Sequence, residues 1–204
     1  VNDREVTVFI VDDEEPICDS VSLLLRSVGL RTRTFNDPQQ FLREYTPDHP
    51  GCLVIDVRMP GMSGLDVQRV LSERRCSLPV IFITGHGDVP MAVEAMRAGA
   101  FDFLQKPFND EDLIRRVQKA LEQDARERAE LQRTDEIQAR WSSLTTRERE
   151  VAQMLVDGGA NKAIALDLDI SERTVELHRA RVMQKMEVRS LAQLVKLVMT
   201  LRQA

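Results

Sequence analysis

The sequence predicts an α/β domain, a doubly wound five-stranded parallel sheet, followed by a small all-α domain. Three observations predict it. In the first 120 residues, short β-branched runs alternate with segments of helical spacing five times over, and such repeats build a parallel sheet with helices on both faces. Residues 144–204 show helical spacing and capping residues but no strand pattern. The charge is also divided. Residues 1–120 carry 14 Lys+Arg against 19 Asp+Glu, a balance of −5; residues 121–143 carry 4 against 6, a balance of −2; residues 144–204 carry 10 against 8, a balance of +2. Asymmetry of this kind indicates segments with separate roles.

The expected strands are Val6–Val11, Thr32–Phe35, Cys52–Ile55, Val80–Thr84 and a shorter Asp102–Leu104. VTVFIV and CLVID are nearly continuous apolar runs, as suits central strands buried on both sides. The intervening helices are Pro16–Val28, Pro38–Glu44, Leu65–Glu73 and Val89–Ala98, and a further one begins near Asp110. Leu113, Val117 and Leu121 give this last helix an apolar stripe. Beyond it, EQDARERAELQRTDEIQAR is dense in charge and free of Gly and Pro. Its Ala, Glu, Arg, Gln and Leu content favours a solvated helix, with a linker near Thr134–Asp135; a flexible charged linker is the alternative. The division read from these patterns is 1–120, a helical linker over 121–143, and 144–204.

In the last segment, Thr145-Thr146-Arg147-Glu148 reads as a capping box opening a helix through Val156, which Asp157-Gly158-Gly159 ends. Asn161 is placed to cap a short helix to Leu168. Asp169-Ile170 turns, and Ser171 caps a longer helix to Met186. Ser190-Leu191-Ala192-Gln193 reads as a second capping box opening the final helix, whose Leu191, Leu194, Val195, Val198 and Leu201 share one side. That side packs on its own domain or carries a dimer contact.

Composition narrows the function classes. The three cysteines are scattered, with no CxxC spacing and an odd count, which argues against a disulfide framework and for a reducing, cytoplasmic setting. Cys52 lies in an apolar run and reads as core. The opening VNDREVTVFIVDDEE lacks a basic segment followed by an apolar one, so no signal peptide is expected. No apolar run approaches the roughly 18 residues that suggest a membrane span. His49 and His86 lack ligand partners in the pattern, so no transition-metal site is expected.

One constellation carries chemistry. Asp12 and Asp13 follow the first strand, Asp56 ends the third, Thr84 ends the fourth and Lys106 follows the fifth. In an open parallel sheet these positions gather at the carboxyl edge, where such folds bind ligands. Carboxylates so close repel one another, and a divalent cation relieves the repulsion. Oxygen ligands with open positions suit Mg²⁺. A carboxylate there can act as a nucleophile toward phosphorus, with Lys106 as a mobile point charge for a phosphoryl oxygen and the Thr84 hydroxyl as a donor. Taken singly, each residue has a structural reading: a helix cap, a β-branched strand residue, a solvated lysine. Their joint placement favours a site.

At this point VFIVDDE, VIDVRMPGMSGLD, ITGHGD and AFDFLQKPF match a family. Residues 6–120 resemble the receiver domain of two-component response regulators, a flavodoxin-like fold. The resemblance implies that Asp56 is the phosphoacceptor. It implies Asp13, Asp56 and the Arg58 backbone carbonyl as Mg²⁺ ligands, with Asp12 supporting the metal through water. Thr84 and Lys106 contact the phosphoryl group, and Lys106-Pro107 is cis. It further implies a switch in which Thr84 moves toward the phosphoryl oxygens and Phe103, otherwise core filler, turns inward. Val89–Ala98 and Phe101–Phe103 then form a two-state surface, a dimer interface in many members.

Asn161–Met186 has a helix-turn-helix layout. Ile164, Leu168, Ile170, Val175 and Val182 are spaced to pack its helices together, and Ala165 permits a close crossing. Thr174 lies near the start of the second helix, and its outward positions are Arg173, Glu176, Leu177, Arg179, Ala180 and Arg181. The N-terminal half of such a helix enters the major groove. Lys162 and Lys185 are placed to grip the DNA backbone. A plain helical hairpin with a solvated basic face is the alternative. LTTREREV, NKAIALDLDISERTVELHRARVMQKM and VRSLAQLV resemble the LuxR-type output domain over residues 144–200. The whole chain therefore resembles the FixJ/NarL family, and its wording is similar to StyR-like regulators of aromatic-compound catabolism. Three positions depart from common family choices. Glu176 and Ala180 stand where relatives place basic or polar groups, and Asp169 occupies a turn position often held by Gly. His178 reads as a partly buried helix residue and Trp141 as a packing anchor.

The implied function is a transcription factor with no enzyme activity beyond Mg²⁺-dependent phosphorylation and dephosphorylation of Asp56. Its implied partners are a sensor histidine kinase, double-stranded promoter DNA, RNA polymerase, and a second copy on phosphorylation, with no membrane. Two other readings stay open on the residues alone. A phosphohydrolase of the haloacid-dehalogenase type would also use a strand-end Asp, but usually carries a second acid two positions on, where Arg58 stands. A protein-interaction adaptor would show no salt-sensitive DNA affinity.

Overall fold

The computed structural model describes residues 5–85 and 89–203; His86, and with it part of the ITGHGD motif, lies outside them. Among the described residues the first unit contains β1 (Thr7–Val11), α1 (Glu15–Ser27), β2 (Thr32–Phe35), α2 (Pro38–Glu44), β3 (Gly51–Asp56), α3 (Gly64–Glu73), β4 (Val80–Thr84), α4 (Val89–Arg97) and β5 (Asp102–Gln105). A 33-residue helix, α5 (Asp110–Ser142), follows. Then come α6 (Thr146–Val156), α7 (Asn161–Asp167), α8 (Glu172–Lys185) and α9 (Leu191–Gln203). Packing divides the chain into two compact units, one ending at Arg128 and the other beginning at Ala129.

The sheet is parallel throughout, in the order β2-β1-β3-β4-β5. Side chains of a strand alternate between the two faces. Val8, Ile10, Cys52, Val54, Ile81 and Ile83 pack with Cys18, Val21 and Leu25 of α1 and with Leu113, Val117 and Ala120 of α5. Phe9, Val11, Leu53, Ile55, Val80 and Phe82 face the other way, toward Phe41 of α2, Val67 and Leu71 of α3 and Ala95 of α4. Both faces of the central strands are thus covered, which is why they read as unbroken apolar runs. The order reverses between β1 and β3, so Asp12 and Asp56 flank the crevice at the carboxyl edge that this topology opens.

Helix α5 departs from expectation. It has no break at Thr134–Asp135. The Thr134 hydroxyl donates back to the Glu130 carbonyl, and Glu136 takes the Arg140 guanidinium one turn on, so polar groups are satisfied without leaving the helix. Nor is its charged stretch wholly solvated, because Asp124 is buried.

In the second unit, Ile137 and Trp141 of α5 join Ala152, Val156, Val182, Met186, Leu194 and Val198 in one cluster. Val151, Leu155, Ile164, Ala165, Val175, Leu168 and Ile170 form another. Three expectations are corrected here. Val182 packs in the first of these clusters, with residues of α5, α6 and α9, and not between α7 and α8. The N-cap of α7 is Ala160, which lends no side-chain cap, and Asn161 is already helical. The box at α9 is shifted by one residue: Ser190 Oγ accepts from Gln193 N, but the Gln193 side chain accepts from Arg189 N. The apolar side of α9 is taken up within its own unit.

Candidate functional site

Strand ends build the first site. Asp12 follows the last residue of β1 and is 1% exposed; its Oδ1 accepts Glu14 N at 3.0 Å, which turns the chain into α1. Asp56 is the last residue of β3, and its Oδ2 accepts Arg58 N at 2.6 Å. Lys106 follows β5 directly and its bond to Pro107 is cis, with its backbone N–H on Thr84 O. The Lys106 ammonium reaches both acids, 2.8 Å from Asp12 Oδ2 and 3.1 Å from Asp56 Oδ1. The register of the parallel strands therefore converges residues 12, 56 and 106 from widely separated positions.

The electrostatics follow from burial. Burial raises the Asp56 pKa above the ordinary carboxylate value, and the Asp12 charge adds to this; the Lys106 ammonium and the Arg58 N–H oppose it without prevailing. Burial acts to lower the Lys106 pKa, but the two carboxylates outweigh it and raise the value. One cation thus serves two buried anions, leaving the pocket with an excess of negative charge.

Of the other expected members, Thr84 and Phe103 stand at their expected strand positions. Thr84 is buried at the end of β4. Phe103 is half-buried in β5, paired in register with Phe82 and packed on the same face. Asp13 is exposed, and among the described residues the Lys106 ammonium pairs with Asp12 and Asp56. Among the described residues, no group of three or more His, Cys, Asp or Glu side chains is gathered closely enough to hold a metal ion.

Helix α8 builds the second site. Ser171 caps it, accepting Thr174 N at 3.1 Å. Asp169 makes the preceding turn with φ 51°, a left-handed conformation that Asp tolerates better than most residues. Val175 and Val182 face inward. Arg173, Glu176, Leu177, Ala180 and Arg181 are exposed, and Thr174 and Arg179 are half-buried. Leu177 is 51% exposed, a large apolar side chain on an otherwise polar face. Lys162 is exposed on α7. Lys185 is drawn inward, its ammonium 2.7 Å from Glu148 Oε2 and 3.1 Å from Ser143 O.

Comparison with known proteins agrees with this arrangement. Residues 8–118 match the response regulator receiver domain, and residues 142–198 match the bacterial regulatory proteins of the luxR family. The chain belongs to the two-component response regulators with a LuxR-type output domain. This response regulator is 45% identical over 202 residues to the response regulator protein TmoT of Ectopseudomonas mendocina, covering 99% of this chain and 92% of that one. It is 46% identical over 196 residues to the transcriptional regulatory protein FixJ of Rhizobium meliloti, covering 96% of each. The solved structure of the response regulator StyR is similar at a TM-score of 0.89 and 45% identity, covering 95% of this chain and 98% of that one. Full-length FixJ from B. japonicum is similar at a TM-score of 0.59 and 40% identity, covering 98% and 99%. The protein is a transcriptional regulator. Its receiver domain implies a histidine kinase as partner, and its luxR-family domain implies DNA. No helix among the described residues is long and apolar enough to cross a membrane.

Two contributors to this regulator's sites were missed by sequence reasoning. Gly64 opens α3 so close to β3 that a Cβ would lie 2.4 Å from the Asp56 carbonyl oxygen; the Ser63–Asp66 capping box beside it was the available signal. The Glu148–Lys185 pair spans 37 residues, a separation with no periodicity to mark it.

Proposed function

We propose that Asp56 accepts a phosphoryl group from a histidine kinase, and that this modification controls pairing of two chains and their binding to promoter DNA. The carrying observation is the Lys106 ammonium bridging Asp12 and Asp56 at the carboxyl edge of the sheet. In this reading residues 1–120 are the receiver, 121–143 a helical linker and 144–204 the DNA-binding domain. A carboxylate oxygen of Asp56 forms a bond to phosphorus as the donor's imidazole nitrogen departs. Lys106 then turns from the carboxylates toward a phosphoryl oxygen, and the Thr84 hydroxyl donates to another. Phe103 follows into the space that Thr84 leaves, which alters the surface formed by residues 89–98 and 101–103.

The pocket's chemistry fits a hard divalent cation. Its donors are oxygens, and two buried carboxylates share one ammonium. Asp13, Asp56 and the Arg58 carbonyl would hold Mg²⁺, with Asp12 acting through water. When bound, the ion supplies positive charge for the incoming phosphoryl oxygens.

On the output side, Arg173, Thr174, Glu176, Leu177, Arg179, Ala180 and Arg181 face the major groove, and Lys162 grips the backbone. Lys185 contributes through its hold on Glu148. Pairing matches two recognition helices to two half-sites, and RNA polymerase is the downstream partner. The location is the cytoplasm, where the DNA target is. Apart from the turnover of its own Asp56 phosphate, the protein is no enzyme.

The test compares the parent chain with Asp56→Asn, each given Mg²⁺ and beryllofluoride. The parent should shift to dimers and bind its selected duplex at least about tenfold more tightly, about 1.4 kcal/mol. The variant should do neither. Equal responses from both would refute the proposal.

A further inference from the structure

Beyond Leu121 the apolar stripe of α5 ends, yet the helix stays fastened to the first unit. Asp124 is 2% exposed in a stretch whose composition predicts solvation. A buried carboxylate is tolerated only when paired and hydrogen-bonded, and Asp124 is both. Gly51 N, at the first residue of β3, donates to its Oδ2 at 2.9 Å. Arg128 Nε, one turn further on, lies 2.9 Å from both of its oxygens. Arg128 Nη2 goes on to the carbonyl oxygens of Pro47 and His49, at 3.1 and 2.9 Å. The loop it grips is itself braced, because His49 Nε2 meets Thr7 Oγ1 at 3.1 Å and the His49 ring stands edge-on to Phe9. Gly51 has to be glycine here, since a Cβ would lie 1.9 Å from the Thr7 carbonyl oxygen.

We propose that Asp124 and Arg128 form a clamp that fixes the rotational setting of α5 past its apolar stripe, and that the phosphorylation state of the receiver reaches the rest of the helix only while this clamp is closed. Aliphatic contacts such as those of Leu113, Val117 and Ala120 are non-directional. Hydrogen bonds to one carboxylate and two carbonyls are directional, and buried polar groups of this kind specify register. Helix α5 runs unbroken to Ser142, so the clamp lies on the element that joins the two units in sequence. The regulatory half of the proposal rests on the reading of Asp56 given above.

The experiment uses the full chain and two variants, Asp124→Asn and Arg128→Gln. Arg128→Gln leaves Asp124 its Gly51 partner, which protects the fold. Three quantities are read: binding of beryllofluoride with Mg²⁺, amide hydrogen exchange, and affinity for a duplex selected by the parent from a randomised library. Both variants should bind beryllofluoride as the parent does and keep the slow exchange of β1 and β4. Amides of residues 121–132 should exchange about tenfold faster, and the beryllofluoride-driven gain in DNA affinity should fall below about twofold. Unchanged exchange over 121–132, or a full gain in affinity in both variants, would overturn the clamp. So would uniform acceleration across the sheet in both variants, which marks a general stability contact. If the parent itself shows no gain, the reading of Asp56 fails, and the clamp is decided by exchange alone: faster over 121–132 supports it, unchanged sinks it.

Discussion

Glu148 does two jobs with one oxygen. Its Oε2 accepts Thr145 N at 2.9 Å, closing the capping box of α6, and takes the Lys185 ammonium at 2.7 Å. The Lys185 ammonium and the Thr145 N–H hold its carboxyl well below the usual range, down to about 2. A carboxyl whose pKa is depressed by folding stabilises the fold above its unfolded value and loses that contribution as the proton is taken up. The second unit should therefore keep this stabilisation above about pH 4.5 and lose it between about pH 4.5 and 2. Lys185 is partly exposed, so the loss is expected to be about 1–2 kcal/mol. Urea melts of the parent and Glu148→Gln across that window should converge toward low pH. A constant gap between them would remove Glu148 as the responsible group. Half of this role was legible, because Thr145-Thr146-Arg147-Glu148 announces a box. The Lys185 half was not, because only tertiary packing returns α8 to α6.

Element by element, local chemistry spoke most plainly where a cap had a side chain to show. Ser171 accepts Thr174 N, and Ser171→Ala should cost about 1 kcal/mol of stability in the second unit. The readout is the thermal midpoint of that unit, and DNA affinity should weaken alongside it, since the first turn of α8 carries Arg173 and Thr174. A midpoint unchanged within error would mean the cap is dispensable. Where the cap is made by backbone alone, as at Ala160 before α7, the sequence pointed one residue too far, to Asn161. At α9 it named the right residues but the wrong partner, because Gln193 reaches past Ser190 to Arg189 N. Val182 shows the same limit in packing. Helical spacing put it on the inner face of α8 correctly, but whether that side chain meets α7 or the α6 and α9 residues of the other cluster depends on how the helices cross.

Across the whole chain, the units meet in sequence within a single helix. The expected boundary at residue 120 follows the end of the apolar stripe, whereas packing assigns residues through Arg128 to the first unit. A chain ending at 128 should therefore fold as a receiver. A chain ending at 120 loses Asp124 and so deprives the buried Gly51 N–H of its acceptor. The shorter piece should be less stable by about 2–4 kcal/mol, measured by urea unfolding of the two. Equal stability would return the boundary to residue 120.

The sequence by itself determined the alternation of strands and helices, the parallel sheet, the four short helices that follow, and the identities of Asp12, Asp56, Thr84 and Lys106. Each of these is written in short-range pattern: hydrophobic period, capping residues, and position relative to a strand end. Only the tertiary structure decided that one ammonium serves both Asp12 and Asp56 while Asp13 stays exposed, that Lys185 turns to Glu148, and that Asp124 is buried on Gly51. Those outcomes depend on which groups are left to satisfy one another once distant segments are packed, and a charged residue looks the same in sequence whether its partner is water or a buried N–H.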